Sequence, residues 1–274
     1  MGDTRSGSSS RAAGAAPDSA VGLETLEKRV AAYRARAVAY ARALRKPPFR
    51  PETVHRLRTH LRRLQAYAEF LDRPRTAKRL ARCVSGLSRL RALSVFHQYL
   101  RSLGAPAGDL DRVREALREE EEMVAGEARL EGVRSVLAGT TMARLRRPRR
   151  FLASRLASLG GDHADRLSEA LQELSAEPTR KELHRLRLVV KSIRYQEEAA
   201  LETGWGRPQR VAALKQLQKV LGGYCDRDQF RRLAKTLGLA SREGLKKEYR
   251  RYWKRAQAAV RRLGPPAARV IRRR

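Results

Sequence analysis

Apolar residues recur along most of the chain at intervals of three and four, which is the period of an amphipathic α-helix. The pattern begins at Leu23 and returns in segment after segment, with charged residues in the intervening positions. No segment shows sustained alternation of apolar and polar residues between turn signals, the pattern of a half-buried strand. The sequence therefore predicts an all-α protein.

Proline and glycine set the expected helix boundaries, because proline cannot continue a helix interior and glycine often follows a helix end. The predicted helices cover residues 23–45, 51–72, 75–103, 109–137, 141–159, 162–176, 178–203, 208–222, 226–237 and 241–263. Gly160-Gly161 and Gly222-Gly223 are among the expected breaks. Residues 1–20 lack periodicity and predict a disordered leader, and residues 264–274 predict a frayed basic tail.

One stretch of the chain occurs twice, 129 residues apart. The matched positions are His55 with His184, Arg58 with Arg187, Arg62 with Lys191, and Glu69 with Glu198. A spacing of i, i+3 and i+7 places the histidine and two cations of the first copy on one helical face. Apolar residues, at 57, 61 and 64 in one copy and at 186, 190 and 193 in the other, fall on a neighbouring face. Each copy therefore predicts a helix with an apolar side and a basic side.

The repeat is too long for a solenoid unit, whose period is about 20 to 50 residues. Each half has the size of a helical bundle with short connections. We therefore expect one domain over residues 21–263, with repeat one at 21–138 and repeat two at 139–263. A pseudo-twofold relation between the halves would place the two basic helices on opposite walls of one groove.

The charge of the chain suggests a polyanionic partner. There are 61 Lys and Arg residues against 29 Asp and Glu, which gives a formal net charge of +32. Nucleic acid, inorganic polyphosphate and an anionic surface all fit such a surplus, and so does a basic protein from an Arg-rich proteome. A glutamate-rich run within 109–137 is interpreted as a solvated acidic face that offsets part of this charge.

Several classes of protein are not indicated. Cys83 and Cys225 are the two cysteines and form no short-spaced motif, so a disulfide framework or thiolate metal site is not expected, and a reducing cytoplasm fits. No signal peptide or run of 18 apolar residues occurs, which predicts a soluble protein without a membrane span. Nucleotide-binding loops, zinc-protease motifs and serine-hydrolase motifs are missing, so neither catalysis nor a cofactor is predicted.

The two copies resemble the signatures of the CHAD family, named for its histidine-containing α-helical domain. The first family signature is H-x-x-R-x-x-x-R-R, and the second is H-x-x-R-x-x-x-K-x-x-R-Y-x-x-E. Both occur here in order, the first as His55, Arg58, Arg62 and Arg63, and the second as His184, Arg187, Lys191, Arg194, Tyr195 and Glu198. The resemblance covers residues 20–263.

The family also has an L-G-x-x-x-D turn after the second signature, and residues 221–226 match it. The counterpart in the first half usually reads L-G-x-x-R-D. Here Arg91 is present, but Ser88 and Ala92 replace the glycine and the aspartate. The first half therefore lacks that aspartate, while the basic helix is intact.

The resemblance implies two four-helix bundles with internal pseudo-twofold symmetry that bind inorganic polyphosphate in a basic groove without catalysis. The expected polyphosphate-binding residues are His55, Arg58, Arg62, Arg63, His184, Arg187, Lys191 and Arg194. Arginine would bind phosphate oxygens in bidentate fashion, and lysine would act as a point charge. The histidines would either donate to phosphate or orient a neighbouring group. Cytoplasmic localisation, including polyphosphate granules, is expected.

Binding to the phosphate backbone of RNA or DNA is the alternative function, since a basic groove attracts any such polymer. Aromatic residues make up 5% of the chain, and no RRM, KH or zinc-finger pattern occurs. A base-stacking surface is therefore not evident, and nucleic acid is the secondary expectation.

Overall fold

The computed structural model describes residues 19–145, 147–202, 204 and 206–262. In that part of the chain, the regular secondary structure consists of helices with short connections and no strands. This confirms the all-α prediction. The helices are α1 (Ser19–Ala43), α2 (Pro51–Phe70), α3 (Pro74–Gly86), α4 (Ser88–Ser102), α5 (Ala107–Ala125), α6 (Glu127–Gly139), α7 (Met142–Leu145), α8 (Arg149–Gln172), α9 (Arg180–Glu202), α10 (Pro208–Thr236) and α11 (Arg242–Arg262). The predicted leader and tail lie outside the described residues, apart from the residues at 19 and 20 that begin α1. Of the helices described, none is long and apolar enough to cross a lipid bilayer.

Three predicted helices are divided in the structure. The predicted helix 141–159 is α7 followed by the first part of α8, which begins at Arg149 directly after Pro148. The other two are divided where the chain has no proline. The predicted helix 75–103 is α3 followed by α4, because Leu87 leaves the helical conformation with φ −96° and ψ 8°. Its carbonyl oxygen accepts a hydrogen bond of 3.2 Å from Arg58 Nη1. The predicted helix 109–137 is α5 followed by α6, because Gly126 is extended with ψ 134°. No proline marks either boundary, so the prediction missed both.

Two predicted breaks lie inside helices. Gly160-Gly161 is part of α8 and Gly222-Gly223 is part of α10, so the turn expected at 221–226 is wrong. A Cβ added at Gly160 would overlap the guanidinium of Arg210, and one at Gly223 would lie 3.0 Å from the ring of Tyr252. These glycines therefore allow close packing instead of ending a helix. Gly238, with φ +62°, does end one.

The core of the described chain consists of three apolar clusters. The first contains residues of α1, α2, α3, α6 and α8, and the second contains residues of α8, α9, α10 and α11. The third brings Phe96 of α4 and Val113 of α5 together with Phe230 of α10, and the two phenyl centroids are 5.1 Å apart. The carboxylate of Asp109 on α5 accepts hydrogen bonds of 2.8 Å from the backbone of Ala240 and Ser241, just before α11. The two halves therefore share part of their core, and the predicted pseudo-twofold symmetry remains a prediction.

Helices α2 and α9, which carry the two signatures, pack against each other near the middle of the molecule. Their apolar sides face the core as the spacing predicted. The buried residues of those sides are Leu57, Leu61 and Leu64 of α2 and Leu186, Val190 and Ile193 of α9. Burying one such side chain contributes about 1.5–3 kcal/mol, which fixes the rotation of each helix about its axis. The basic sides are consequently directed at a common space.

Candidate anion-binding site

A cavity of about 630 Å³ lies between the basic sides of α2 and α9. Helices α3, α4 and α10 complete its walls, and we call it the central cavity. Six of the eight residues predicted from the signatures line it: His55, Arg58, Arg62, His184, Arg187 and Lys191. The fixed rotation of the two helices thus brings together groups that are 129 residues apart in sequence.

The central cavity is strongly cationic. The cations that line it are Arg58, Arg62, Arg91, Arg187 and Lys191, and the carboxylates are Glu69 and Asp226. Over the described part of the chain, none of these five cations has a carboxylate oxygen within the 4.0 Å of an ion pair. Buried charge normally occurs paired, so a group of cations without an internal partner is suited to an anion from outside.

Arg58 is the most enclosed cation of the central cavity. The residue is 8% exposed, and its Nη atoms donate to the Leu87 carbonyl oxygen and to Ser88 Oγ, both at 3.2 Å. Burial, together with the nearby charges of Arg62 and Arg91, lowers the pKa of Arg58 to about 9. Arg58 therefore remains charged at neutral pH while it is held by neutral acceptors.

Burial and nearby positive charge lower the pKa of Lys191 more strongly than that of Arg58. Burial lowers its pKa to about 6, and the charges of Arg62 and Arg187 act in the same direction. The amine is consequently largely neutral at pH 7. Burial also lowers the pKa of Arg62 and of Arg91, and the charges of Arg187 and Arg194 lower that of Arg62 further.

The two signature histidines are exposed and line the edge of the central cavity. Partial burial and the charge of Arg91 lower the pKa of His55. Partial burial and the charge of Arg187 lower the pKa of His184, whose Nδ1 lies 3.9 Å from Cys225 Sγ. Both imidazoles are therefore neutral at pH 7, where each offers one N–H donor.

Arg63 and Arg194, the other two predicted residues, do not line the central cavity. Arg63 Nη1 donates a 2.7 Å hydrogen bond to the hydroxyl of Tyr33 and lies 3.8 Å from a carboxylate oxygen of Glu202. Arg63 follows Arg62 directly and so points about 100° away around the helix.

Arg194 lies on the same side of α9 as Lys191 but about one turn further along. There its Nη1 donates to Glu198 and its Nε to Gln218 of α10, each at 2.6 Å. Its guanidinium also covers the ring of Tyr195 at 4.0 Å. Arg194 thus joins α9 to α10 beside the cavity.

Some cavity residues were missed from the sequence. Arg91 lines the cavity from α4, and its match to the arginine of the family's first-half pattern was the available signal. Tyr195 of the second signature lines it too. Asp226 faces it from α10, and burial raises the pKa of this carboxyl despite the cations around it. Asp226 therefore balances the charge of the cavity only in part.

The central cavity can hold an anion but offers little for binding a metal. Within the described ranges, no group of three or more His, Cys, Asp and Glu residues is placed to hold a metal ion. Besides apolar side chains and the two carboxylates, the lining contains guanidinium groups, one amine, two imidazoles and short polar side chains. Such donors match phosphate oxygens, which accept bidentate hydrogen bonds from arginine.

Comparison with known proteins identifies relatives at the level of family and fold. The model of the CHAD domain family matches residues 28–235. The structure is similar to the crystal structure of the CHAD domain from the plant Ricinus communis, with a TM-score of 0.59 and 17% sequence identity. That likeness covers 91% of this chain and 89% of the plant chain. Among curated proteins, no sequence matches significantly.

Proposed function

We propose that this chain, which belongs to the CHAD family, binds inorganic polyphosphate in its central cavity and does not catalyse a reaction on it. The observation that carries the proposal is the group of five cations that face one cavity without an ion-pair partner among the described residues. Six signature residues and Arg91 are assigned to the site. Arg63 and Arg194 are left out of it, because each is engaged elsewhere.

The electrostatics of the central cavity favour a polymer with many charges. Arg58, Arg62 and Lys191 all have lowered pKa values, because burial and repulsion disfavour their charged forms. A chain of phosphates would relieve this repulsion at several positions at once, whereas a single anion would relieve it at one. Release of counterions from the polymer adds to the affinity.

The shape of the cavity favours polyphosphate over nucleic acid. Five helices bound a space of about 630 Å³, which a thin phosphate chain can enter. A double helix is too wide to do so, and a single strand would have to bring its bases past the same walls. Polyphosphate has no bases and exposes phosphate oxygens on every side.

Binding without catalysis agrees with the groups that the cavity contains. Phosphoryl transfer depends on positioning and on metal ions or other groups that stabilise the developing charge. Glu69 is engaged with neutral donors, and the carboxyl of Asp226 lies among cations. The neutral histidines are suited to donating hydrogen bonds to bound phosphate. A location at cytoplasmic polyphosphate granules would follow from binding the polymer.

A competition titration at physiological salt tests the proposed function. Labelled long-chain polyphosphate is bound to the protein and displaced by unlabelled polyphosphate, duplex DNA or single-stranded RNA at equal phosphate concentration. We expect polyphosphate to displace the label at least about tenfold more effectively than either nucleic acid, because the duplex cannot enter the cavity. Equal displacement by all three polymers would reject the cavity as a selective site and favour general binding of polyanions by the surface.

A further inference from the structure

Glu69 places an unneutralised carboxylate at one boundary of the central cavity. Its Oε1 accepts a hydrogen bond of 2.8 Å from Gln65. Its Oε2 accepts one of 2.9 Å from Gln196 and one of 3.3 Å from Ser192. All three donors are neutral, and Glu69 has no ion pair with a described lysine or arginine. A fixed negative charge therefore faces a site that is otherwise suited to anions.

Buried contacts behind Glu69 hold the carboxylate in this position. The side-chain oxygen of Gln196 lies 3.2 Å from Nε2 of His163, and Nδ1 of the same ring lies 2.8 Å from Glu197. Both ring nitrogens therefore face oxygen atoms, and His163 is fully buried. Because the amide oxygen of Gln196 faces the imidazole, its NH₂ group must face Glu69. The orientation of the carboxylate is thus determined by α9 and α8 together.

A second, smaller cavity lies beyond Glu69. It has a volume of about 270 Å³, and we call it the side cavity. Glu69 and Ser192 line both cavities, so they form the boundary between them. The arginines that line the side cavity are Arg73, Arg155 and Arg166.

The charges in the side cavity are partly balanced. Arg155 pairs with Asp162 at 2.5 Å, and Asp72, which also lines the side cavity, pairs with Arg147 at 3.2 Å. Among the described residues, the hydrogen-bond partner of Arg166 is a neutral group, since its Nη2 donates to Ser192 Oγ at 3.4 Å. Cationic groups are therefore present on both sides of one carboxylate.

We propose that Glu69 is a specificity-determining residue that stops a bound phosphate chain at the boundary between the central and side cavities. The inference rests on the proposed function. A phosphate at this boundary would lie against a like charge whose neighbouring hydrogen-bond donors are already engaged, and such a contact weakens binding. Glu69 thereby limits how much of a long chain the protein binds in one continuous path.

The substitution Glu69→Gln tests this assignment, because glutamine has the same shape without the charge. Affinities are measured for tripolyphosphate and for long-chain polyphosphate. We expect the variant to bind the long chain about tenfold more tightly and tripolyphosphate no more than about twofold more tightly. Adding Arg166→Ala to Glu69→Gln should remove the gain for the long chain, since the path would lack its next cation.

The control variant is Glu119→Gln, which changes the net charge equally on the exposed side of α5 and should leave both affinities unchanged. An equal gain for both chain lengths, no gain, or a gain that survives Arg166→Ala would each overturn the proposal. If circular dichroism shows that Glu69→Gln has lost helicity, Glu69→Ala removes the same charge and carries the same expectation. A failure of the proposed function would be recognised separately, because the unsubstituted protein would then not select polyphosphate over nucleic acid.

Discussion

Arginines two positions apart on α2 have opposite surroundings. Arg56 is exposed and pairs with Glu52 of its own helix at 2.6 Å. Arg58 is buried at the central cavity and donates only to a carbonyl and a hydroxyl oxygen. The same residue type is thus neutralised on one side of the helix and available to an external anion on the other.

The second signature shows the same contrast on α9. Arg185 is exposed and lies 2.9 Å from a carboxylate oxygen of Glu173. Arg187, two residues later, lines the central cavity without a described carboxylate partner. Net charge therefore says little about binding capacity, because what matters is which cations lack an internal partner.

The largest expected effect comes from removing the cavity arginines of both helices. The double variant Arg58→Ala and Arg187→Ala should bind long-chain polyphosphate at least about a hundredfold more weakly, since each hydrogen bond to a charged group contributes about 1.5–3 kcal/mol. The matched control is Arg56→Ala with Arg185→Ala, which removes the same charge and should change affinity less than about threefold. Fluorescence titration gives the affinities, and circular dichroism checks that both variants are equally helical. Equal losses of affinity in the two variants would contradict the distinction between cavity arginines and exposed, paired arginines.

A smaller effect concerns the proton on Lys191. The pKa of this amine is about 6, first because it is buried and then because of the positive charges of Arg62 and Arg58 on α2 and of Arg187 and Arg194 on α9. A bound polyanion raises that pKa, so binding takes up a proton above pH 6. Affinity should therefore fall as the pH rises from 6 towards the pKa of the bound state, by up to about tenfold per pH unit.

Titration calorimetry in two buffers with different heats of ionisation measures this proton uptake. At about pH 7.5, Lys191→Met should reduce the uptake by close to one proton per site. The control Lys215→Met removes an exposed amine that lies 3.3 Å from Glu198 and should leave the uptake unchanged. An unchanged uptake in Lys191→Met would show that the proton is bound by another group.

The smallest expected effect comes from giving the cavity cations an internal partner. Ala92 lines the central cavity at the position of its sequence pattern where the second half has Asp226. Ala92→Asp should make the cavity arginines more like Arg56 and weaken polyphosphate binding by about fivefold. Ala92→Asn has nearly the same size without the charge and serves as the control. If both variants weaken binding equally, the effect is one of volume and not of charge.

The sequence predicted the two signature helices and their inward sides well, because the apolar spacing alone determines how each helix is rotated. Arg56 and Arg185 each lie two positions before a signature arginine, and this spacing alone predicts that they point away from the site. What it could not provide is the neighbour that each side chain meets. Arg194 has the spacing of a cavity residue, but Gln218 of α10 and Glu198 lie close enough to engage it.

Glycine and glutamate were the residues most often misinterpreted. Gly160 and Gly223 were expected to end helices, and the structure uses them where Arg210 and Tyr252 pack closely. The repeat matches Glu69 with Glu198, which predicts that Glu69 accepts a hydrogen bond from an arginine as Glu198 does, but two amides and a hydroxyl donate to it instead. These outcomes depend on contacts between distant segments, which a local pattern does not contain.

The third apolar cluster has a consequence for how the protein is made. Phe96, Leu100 and Val113 belong to the first half, yet the residues that cover them, such as Phe230 and Leu245, come near the end of the chain. A ribosome therefore synthesises α4 and α5 well before α10 and α11, which cover their apolar sides. During that interval the nascent chain exposes an apolar surface, which is the kind of surface that chaperones bind and that promotes aggregation.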